Sequence, residues 1–148
     1  MIALSVQSSR RDTGREMSRE NVEIVRAVSD AYARGDYEDA LGRLDEDIEF
    51  VSPPDVSGGQ VWRGREGTRQ GVTSFLGTWE EYHYEVRDLI GCGDEVLVEG
   101  WHRARGRGSG VEVSEAIYTV WTVREGRVVR QRMFRDRAEA LEAAGVSE

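Results

Sequence analysis

The stretch that decides the fold is Val111-Glu112-Val113-Ser114-Glu115-Ala116-Ile117-Tyr118-Thr119-Val120-Trp121-Thr122-Val123, then Arg124-Glu125-Gly126, then Arg127-Val128-Val129-Arg130-Gln131-Arg132-Met133-Phe134-Arg135. Two runs rich in β-branched and aromatic residues flank a short glycine-bearing link, the pattern of an antiparallel hairpin. Two further strand-like runs precede it, Tyr84 to Ile90 and Glu95 to Arg105, joined through Gly91-Cys92-Gly93-Asp94. Gly106 to Gly110 connects the second of these to the hairpin. Four consecutive strands with short turns predict an antiparallel sheet.

Towards the N-terminus the period changes from two to that of a helix. Ser18 is placed to cap a helix whose apolar positions are Val22, Val25, Val28 and Tyr32, ended by Gly35. Asp36 caps a second helix, Tyr37 to Leu44, and Ile48 to Ser52 reads as a strand stopped by Pro53-Pro54. A loop runs on to Gly64. Val72, Phe75, Leu76 and Trp79 then fall at helical spacing and predict a third helix from Arg65 to Tyr82, weakened by Gly67, Gly71 and Gly77. Ala138 to Ala144 forms a last short helix stopped at Gly145. Helices followed by a run of strands make an α+β class, and 148 residues suit a single domain. Residues 1–16 have no apolar period and are expected as a disordered or loosely attached extension before a domain at 17–148, with Met17 as an alternative start to Met1.

The net charge is −8 and every basic residue is arginine. Without a lysine there is no Schiff-base chemistry and no Walker-type phosphate loop. The acidic balance argues against nucleic acid as a partner. No apolar stretch reaches the roughly 18–20 residues that span a membrane, and no signal-like pattern follows Met1, so a cytoplasmic location is expected. Cys92 is the one cysteine and reads as a turn residue; two histidines without a second cysteine make a zinc site a poor fit. Asp45-Glu46-Asp47 lacks calcium-loop spacing and reads as a solvated turn. Gly106-Arg107-Gly108-Ser109-Gly110 is followed by a strand, not the helix that a dinucleotide cradle needs.

Several blocks carry a resemblance: Ser18-Arg19-Glu20-Asn21-Val22-Glu23, Gly35-Asp36, Trp62-Arg63-Gly64-Arg65-Glu66-Gly67, Val120 to Val129, and Asp136-Arg137-Ala138-Glu139-Ala140-Leu141. In this order they resemble the SnoaL-like family of the nuclear-transport-factor-two-like (cystatin-like α+β) superfamily. The resemblance implies a cone-shaped domain, a curved antiparallel sheet with three helices on its concave side, and a pocket between them. It implies no metal and no organic cofactor. It leaves function open, because the superfamily holds polyketide cyclases, ketosteroid isomerase, limonene epoxide hydrolase and non-catalytic binding modules on one scaffold. Aligned to the isomerase, its base position falls on Ser52, its tyrosine on Val28, and its protonated aspartate on Thr119 or Tyr118. None of these holds the required group, so that mechanism is not expected here.

Pairing Val123 with Arg127 sets Trp121 opposite Val129, Thr119 opposite Gln131, Ile117 opposite Met133 and Glu115 opposite Arg135 on one face. With Phe50 and Ser52 from the earlier strand, Trp62 from the loop and Trp101 from the preceding strand, this predicts a pocket lined by Phe50, Ser52, Trp62, Trp101, Thr119, Trp121, Gln131 and Met133, with Arg135 at one end. Glu115 and Arg135 are the candidate catalytic pair, with Glu99 and Arg103 as possible additions in an epoxide-hydrolase-like set; the bland alternative is a rim ion pair worth about 0–1 kcal/mol. Tyr32, Trp62, Trp79, Trp101 and Trp121 form either a stacking wall or ordinary core. His102 alternates with Trp101 and reads as a surface or core histidine. The other hairpin face, with Tyr118, Val120, Thr122, Val128, Arg130, Arg132 and Phe134, predicts an exposed apolar patch and hence a homodimer. The expected function is binding of a small apolar or polycyclic molecule; the alternative is a cofactor-independent enzyme of the cyclase, isomerase or epoxide-hydrolase type using Glu115 and Arg135.

Overall fold

The structure is a computed structural model that describes residues 2–52 and 60–146, with side chains from Ser18 onward. Its elements are α1 (Ile2–Ala33), α2 (Tyr37–Gly42), β1 (Leu44–Val51), β2 (Val61–Arg63), α3 (Gly64–Gly77), β3 (Trp79–Cys92), β4 (Glu95–Gly106), β5 (Glu112–Arg124), β6 (Arg127–Phe134) and α4 (Arg137–Ala144). The strands form one sheet in the order β2-β1-β6-β5-β4-β3. The class is α+β. From β3 to β6 the sheet is an antiparallel meander, but β1 runs parallel to β6, so the sheet is mixed rather than wholly antiparallel. The cause is topological: α3 carries the chain from β2 to the far edge, and the meander returns beside β1 in β1's own direction.

Three helices pack on one face, as expected. Val25, Val28 and Ala31 of α1 and Ala40 and Leu41 of α2 join Leu44, Ile48, Val96, Val98, Trp121, Val123 and Val128 in one core cluster. The fourth helix covers the other face. Asp136 caps it by accepting from the Ala138 and Glu139 amides, and Gly145 ends it at φ 76°. Its Ala140, Leu141 and Ala144 bury Leu97 and Val120 from the outer side. The outer patch expected from sequence is therefore partly covered by the chain itself. Val120 is fully buried beneath α4, and Val128 lies in the inner core instead.

Other boundaries move. α1 begins at Ile2, so Ser18 lies inside the helix rather than capping it, and the segment 2–16 is helical backbone. α2 ends before Leu44, which opens β1; Asp45, Glu46 and Asp47 belong to that strand and not to a turn. α3 stops at Gly77, and Trp79 to Tyr82 start β3 instead of ending the helix. Val61–Arg63, expected as loop, adds an edge strand to β1. Pro53 and Pro54 lie outside the described residues.

The hairpin register also differs. Glu125 and Gly126 both take positive φ, 51° and 76°, which closes a two-residue turn with Arg124 opposite Arg127. A bulge between Thr122 and Val123 then leaves Val129 as the extra residue. Turn and bulge each shift the pairing by one. Trp121 thus meets Gln131, and Thr119 meets Met133. Two one-residue shifts restore the alternation, so Ile117, Thr119, Trp121, Gln131 and Met133 still share one face. No described helix is long and apolar enough to cross a membrane.

Candidate functional site

Between the inner sheet face and α1–α3 lies a cavity of about 80 Å³. By the same measure one water needs roughly 10–15 Å³, so the space suits an organic molecule or several waters. α1 contributes Ser29 and Tyr32, α2 Tyr37, and α3 Val72, Phe75 and Leu76. The sheet contributes Phe50, Tyr82, Tyr84, Ile117, Thr119, Trp121, Gln131 and Met133. The wall is mostly apolar with a few convergent polar groups, as small-molecule sites are.

Four of those polar groups have no partner: Ser29 Oγ, Tyr32 Oη, Trp121 Nε1 and Gln131 Oε1 are buried and make no hydrogen bond. Leaving one such group unsatisfied costs about 1–3 kcal/mol. All four belong to residues of the cavity lining.

Glycines make the wall possible. Tyr84 lies across Gly100, where an added Cβ would stand 2.5 Å from its ring. Trp62 lies on Gly71 of α3 in the same manner, at 2.8 Å. Gly71, which weakens the helix as sequence, makes room for an indole.

Burial pushes the phenols of Tyr32, Tyr82 and Tyr84 well above the ordinary value of 10.0, with smaller contributions from Tyr37 for Tyr32, Tyr84 and Tyr37 for Tyr82, and Asp30 for Tyr84. Their rings are only half-buried because they wall a cavity, yet the Tyr32 hydroxyl itself is sealed. All three are neutral hydrogen-bonding groups at neutral pH.

At one end of the cavity stands a hydrogen-bonded chain. Tyr82 Oη lies 3.2 Å from His102 Nδ1, and His102 Nε2 lies 3.2 Å from Glu115 Oε1. The His102 side chain is 5% exposed and that of Glu115 43%, so the chain leads from the cavity wall through the interior to solvent. His102 is thus a core histidine with two polar partners. Trp79 and Phe75 complete its surroundings: the Trp79 ring sits 6.5 Å from the imidazole, and Phe75 packs edge-on against Tyr82.

Of the residues expected in the pocket, Phe50, Thr119, Trp121, Gln131 and Met133 line the cavity. Ser52 does not; its hydroxyl donates to the Gln60 carbonyl at 3.1 Å and ties the end of β1. Trp62 packs on α3 at the sheet edge. Trp101 faces outward, with the Arg87 guanidinium 4.4 Å above its ring and its indole N–H donating to Ser114 Oγ. Arg135 follows β6 and is exposed, outside the cavity lining. Glu99 also faces outward and pairs with Arg137 at 2.8 Å. Glu99 and Glu115 occupy opposite faces of the sheet, so the carboxylate–arginine–carboxylate set cannot converge. Glu115 pairs with His102. Sequence reasoning missed Ser29, Tyr37, Tyr82, Tyr84 and the role of His102. The step of two from Tyr82 to Tyr84 to Val86 was the available signal, hidden by reading Tyr82 as helix. Among the described residues no cluster of His, Cys, Asp and Glu is arranged to hold a metal.

The SnoaL-like domain family matches residues 25–131. Solved structures with the same fold include an NTF2-like protein from Burkholderia xenovorans LB400, 28% identical, covering 85% of this chain and 95% of its own, with a TM-score of 0.67. TerC, co-crystallised with polyporic acid, is 22% identical over 83% of this chain and 98% of its own, with a TM-score of 0.69. A protein of ketosteroid isomerase-like fold from Catenulispora acidiphila DSM 44928, in complex with trimethylamine, is 18% identical over 84% and 94%, with a TM-score of 0.66. Among curated proteins none matches the chain at a comparable level. A family match across most of the chain, the sheet order, and the helix-lined cavity agree: the chain belongs to the SnoaL-like domain family.

Proposed function

We propose that the protein binds a small, largely apolar organic molecule bearing oxygen functions in the cavity between the sheet and α1–α3. The observation that carries this reading is the mostly apolar cavity itself, whose lining also includes the polar side chains of Ser29, Tyr82, Tyr84, Thr119 and Gln131. Polar side chains in such a lining favour a guest that carries hydrogen-bonding oxygens over a pure hydrocarbon. That TerC takes polyporic acid and the Catenulispora protein trimethylamine supports a small-molecule role for this fold.

The test is substitution of Gln131 by leucine. Removing the buried, unpaired amide oxygen is expected to stabilise the protein by about 1–2 kcal/mol in urea unfolding. The same change is expected to weaken retention of any molecule that native mass spectrometry finds co-purified with the wild type. A destabilised Gln131→Leu protein, or one that keeps the molecule at wild-type occupancy, would count against the reading.

The same proposal places the globular unit at residues 17–148, with 1–16 as an appended segment, in the cytoplasm. It also includes a homodimer through what remains of the outer face, where Trp101, Tyr118 and Phe134 are half-buried. Sedimentation equilibrium is expected to give twice the chain mass of 16.7 kDa. A monomer at high micromolar concentration would remove the dimer and leave the pocket untouched.

A further inference from the structure

We propose that Tyr82, His102 and Glu115 form a proton relay through which the protein deprotonates a hydroxyl of a small phenol-class molecule bound in the cavity. The inference rests on the binding reading above and adds chemistry to it. Three observations meet here. Tyr82 belongs to the cavity wall. His102 is buried and bridges Tyr82 and Glu115 through its two ring nitrogens, each at 3.2 Å. Glu115 is open enough to exchange protons with solvent.

The protonation states follow from the partners. A carboxylate only accepts, so Glu115 draws the proton to Nε2 of the neutral imidazole. Nδ1 is then a lone pair and accepts from the Tyr82 hydroxyl. With its own proton turned to His102, the oxygen of Tyr82, a cavity-lining residue, keeps a lone pair with which to accept from a guest. A guest that brings a hydroxyl donor completes the chain.

The transfer balances in one pass. The guest O–H bond breaks as its proton moves to Tyr82 Oη. The Tyr82 O–H bond breaks as that proton moves to His102 Nδ1. The guest oxygen keeps the electron pair and accepts from the new Tyr82 O–H, while the Glu115 carboxylate stabilises the imidazolium. No oxidant, reductant or metal is involved. The logic is that of a hydroxyl–histidine–carboxylate triad, with the phenol as conduit and a guest oxyanion as product. Tyr82 itself stays neutral before and after. The groups facing the imidazole are Tyr82 and its cross-strand neighbour Tyr84 from β3, and Glu115 from β5. Trp79 of β3, also packed near the ring, and Phe75 of α3, packed on Tyr82, bring no charge.

The experiment is 15N NMR of the histidine ring nitrogens in the whole protein, with His83→Gln used to assign His102. The probes are 4-fluorophenol and 4-fluoroanisole, the latter with the same ring and no hydroxyl proton. The free protein is expected to show His102 as the Nε2-protonated tautomer. Saturating 4-fluorophenol is expected to move the His102 Nδ1 resonance towards that of a protonated ring nitrogen, because the relay delivers its proton there. 4-Fluoroanisole is expected to move the side-chain methyl signals of Val72, Leu76 and Met133 without this response. Tyr82→Phe should abolish the response. Glu115→Gln, at a half-exposed position that tolerates the change, should reduce it. An Nδ1-protonated free tautomer overturns the relay. So do moving methyl signals with an unchanged His102, or a response equal in Tyr82→Phe; in those two cases the binding reading survives. If neither probe moves the methyl signals at millimolar concentration, the binding reading fails and the relay with it.

Discussion

Above pH 10 the protein is expected to lose stability steeply, at about 4 kcal/mol per pH unit once its buried phenols are forced to choose between neutrality and unfolding. Tyr32, Tyr82 and Tyr84 are held above their ordinary value of 10.0, with burial the largest cause. For each, the folded state binds its proton more tightly than the unfolded chain. The stabilisation is therefore complete below pH 10 and disappears as pH rises from there through the folded values. Each phenol contributes about 1.4 kcal/mol per unit in that window, and three together give about 4. Urea midpoints measured stepwise from pH 9 upward, with absorbance at the phenolate band recorded alongside, check this. Tyr82→Phe and Tyr84→Phe should each remove about one third of the slope, which separates the effect from general repulsion in a chain already at −8. A phenolate signal near pH 10 that appears with the fold intact and is lost in Tyr82→Phe or Tyr84→Phe would show that these hydroxyls are open to water.

The same three tyrosines mark where the sequence was easy and hard to read. α3 was legible because Val72, Phe75 and Leu76 hold one stripe, and that stripe does line the cavity. Its end was not legible. β3 carries bulges between Trp79 and Glu81 and between Val86 and Asp88. The first sets two half-buried residues, Trp79 and Tyr82, three apart, a step that imitates a helix. Periodicity cannot separate a bulged strand from a helical turn over four residues. The helical reading therefore extends to Tyr82, which the structure places in β3.

β4 was ambiguous for a different reason. Val96, Leu97 and Val98 are all fully buried, because α1 covers one side of that strand and α4 the other. A strand covered on both faces loses its alternation, so nothing in the run says which residues point inward. Alternation alone puts either Trp101 or His102 towards the pocket; the structure places His102 there and Trp101 outward. On β5 and β6 parity survived because the turn and the bulge each shifted the pairing by one. Glu115 was thus placed on the inner face, but with Arg135 in place of His102 as its partner.

Gly100→Ala is the substitution expected to disturb the site most without touching a polar group. Gly100 lies in β4 between Val86 of β3 and Ile117 of β5. Its φ is an ordinary one, so alanine meets no backbone strain, and leaving glycine in a strand should by itself gain about 0.5–1 kcal/mol. Against this stands the Tyr84 ring. A Cβ at position 100 would lie 2.5 Å from Tyr84 Cε1 and 2.7 Å from its hydroxyl oxygen, closer than real contacts allow. Relieving the contact requires the Tyr84 ring to move, and overpacking of about 1–3 kcal/mol outweighs the strand gain. Gly100→Ala is expected to destabilise the protein and to displace Tyr84, altering the cavity next to Tyr82. A double-mutant cycle isolates the cause. In a Tyr84→Ala background the clash is gone, and Gly100→Ala should become neutral or slightly stabilising, a coupling of at least about 1 kcal/mol. Additive effects in that cycle would mean that Gly100 is kept for some reason other than the ring that lies across it.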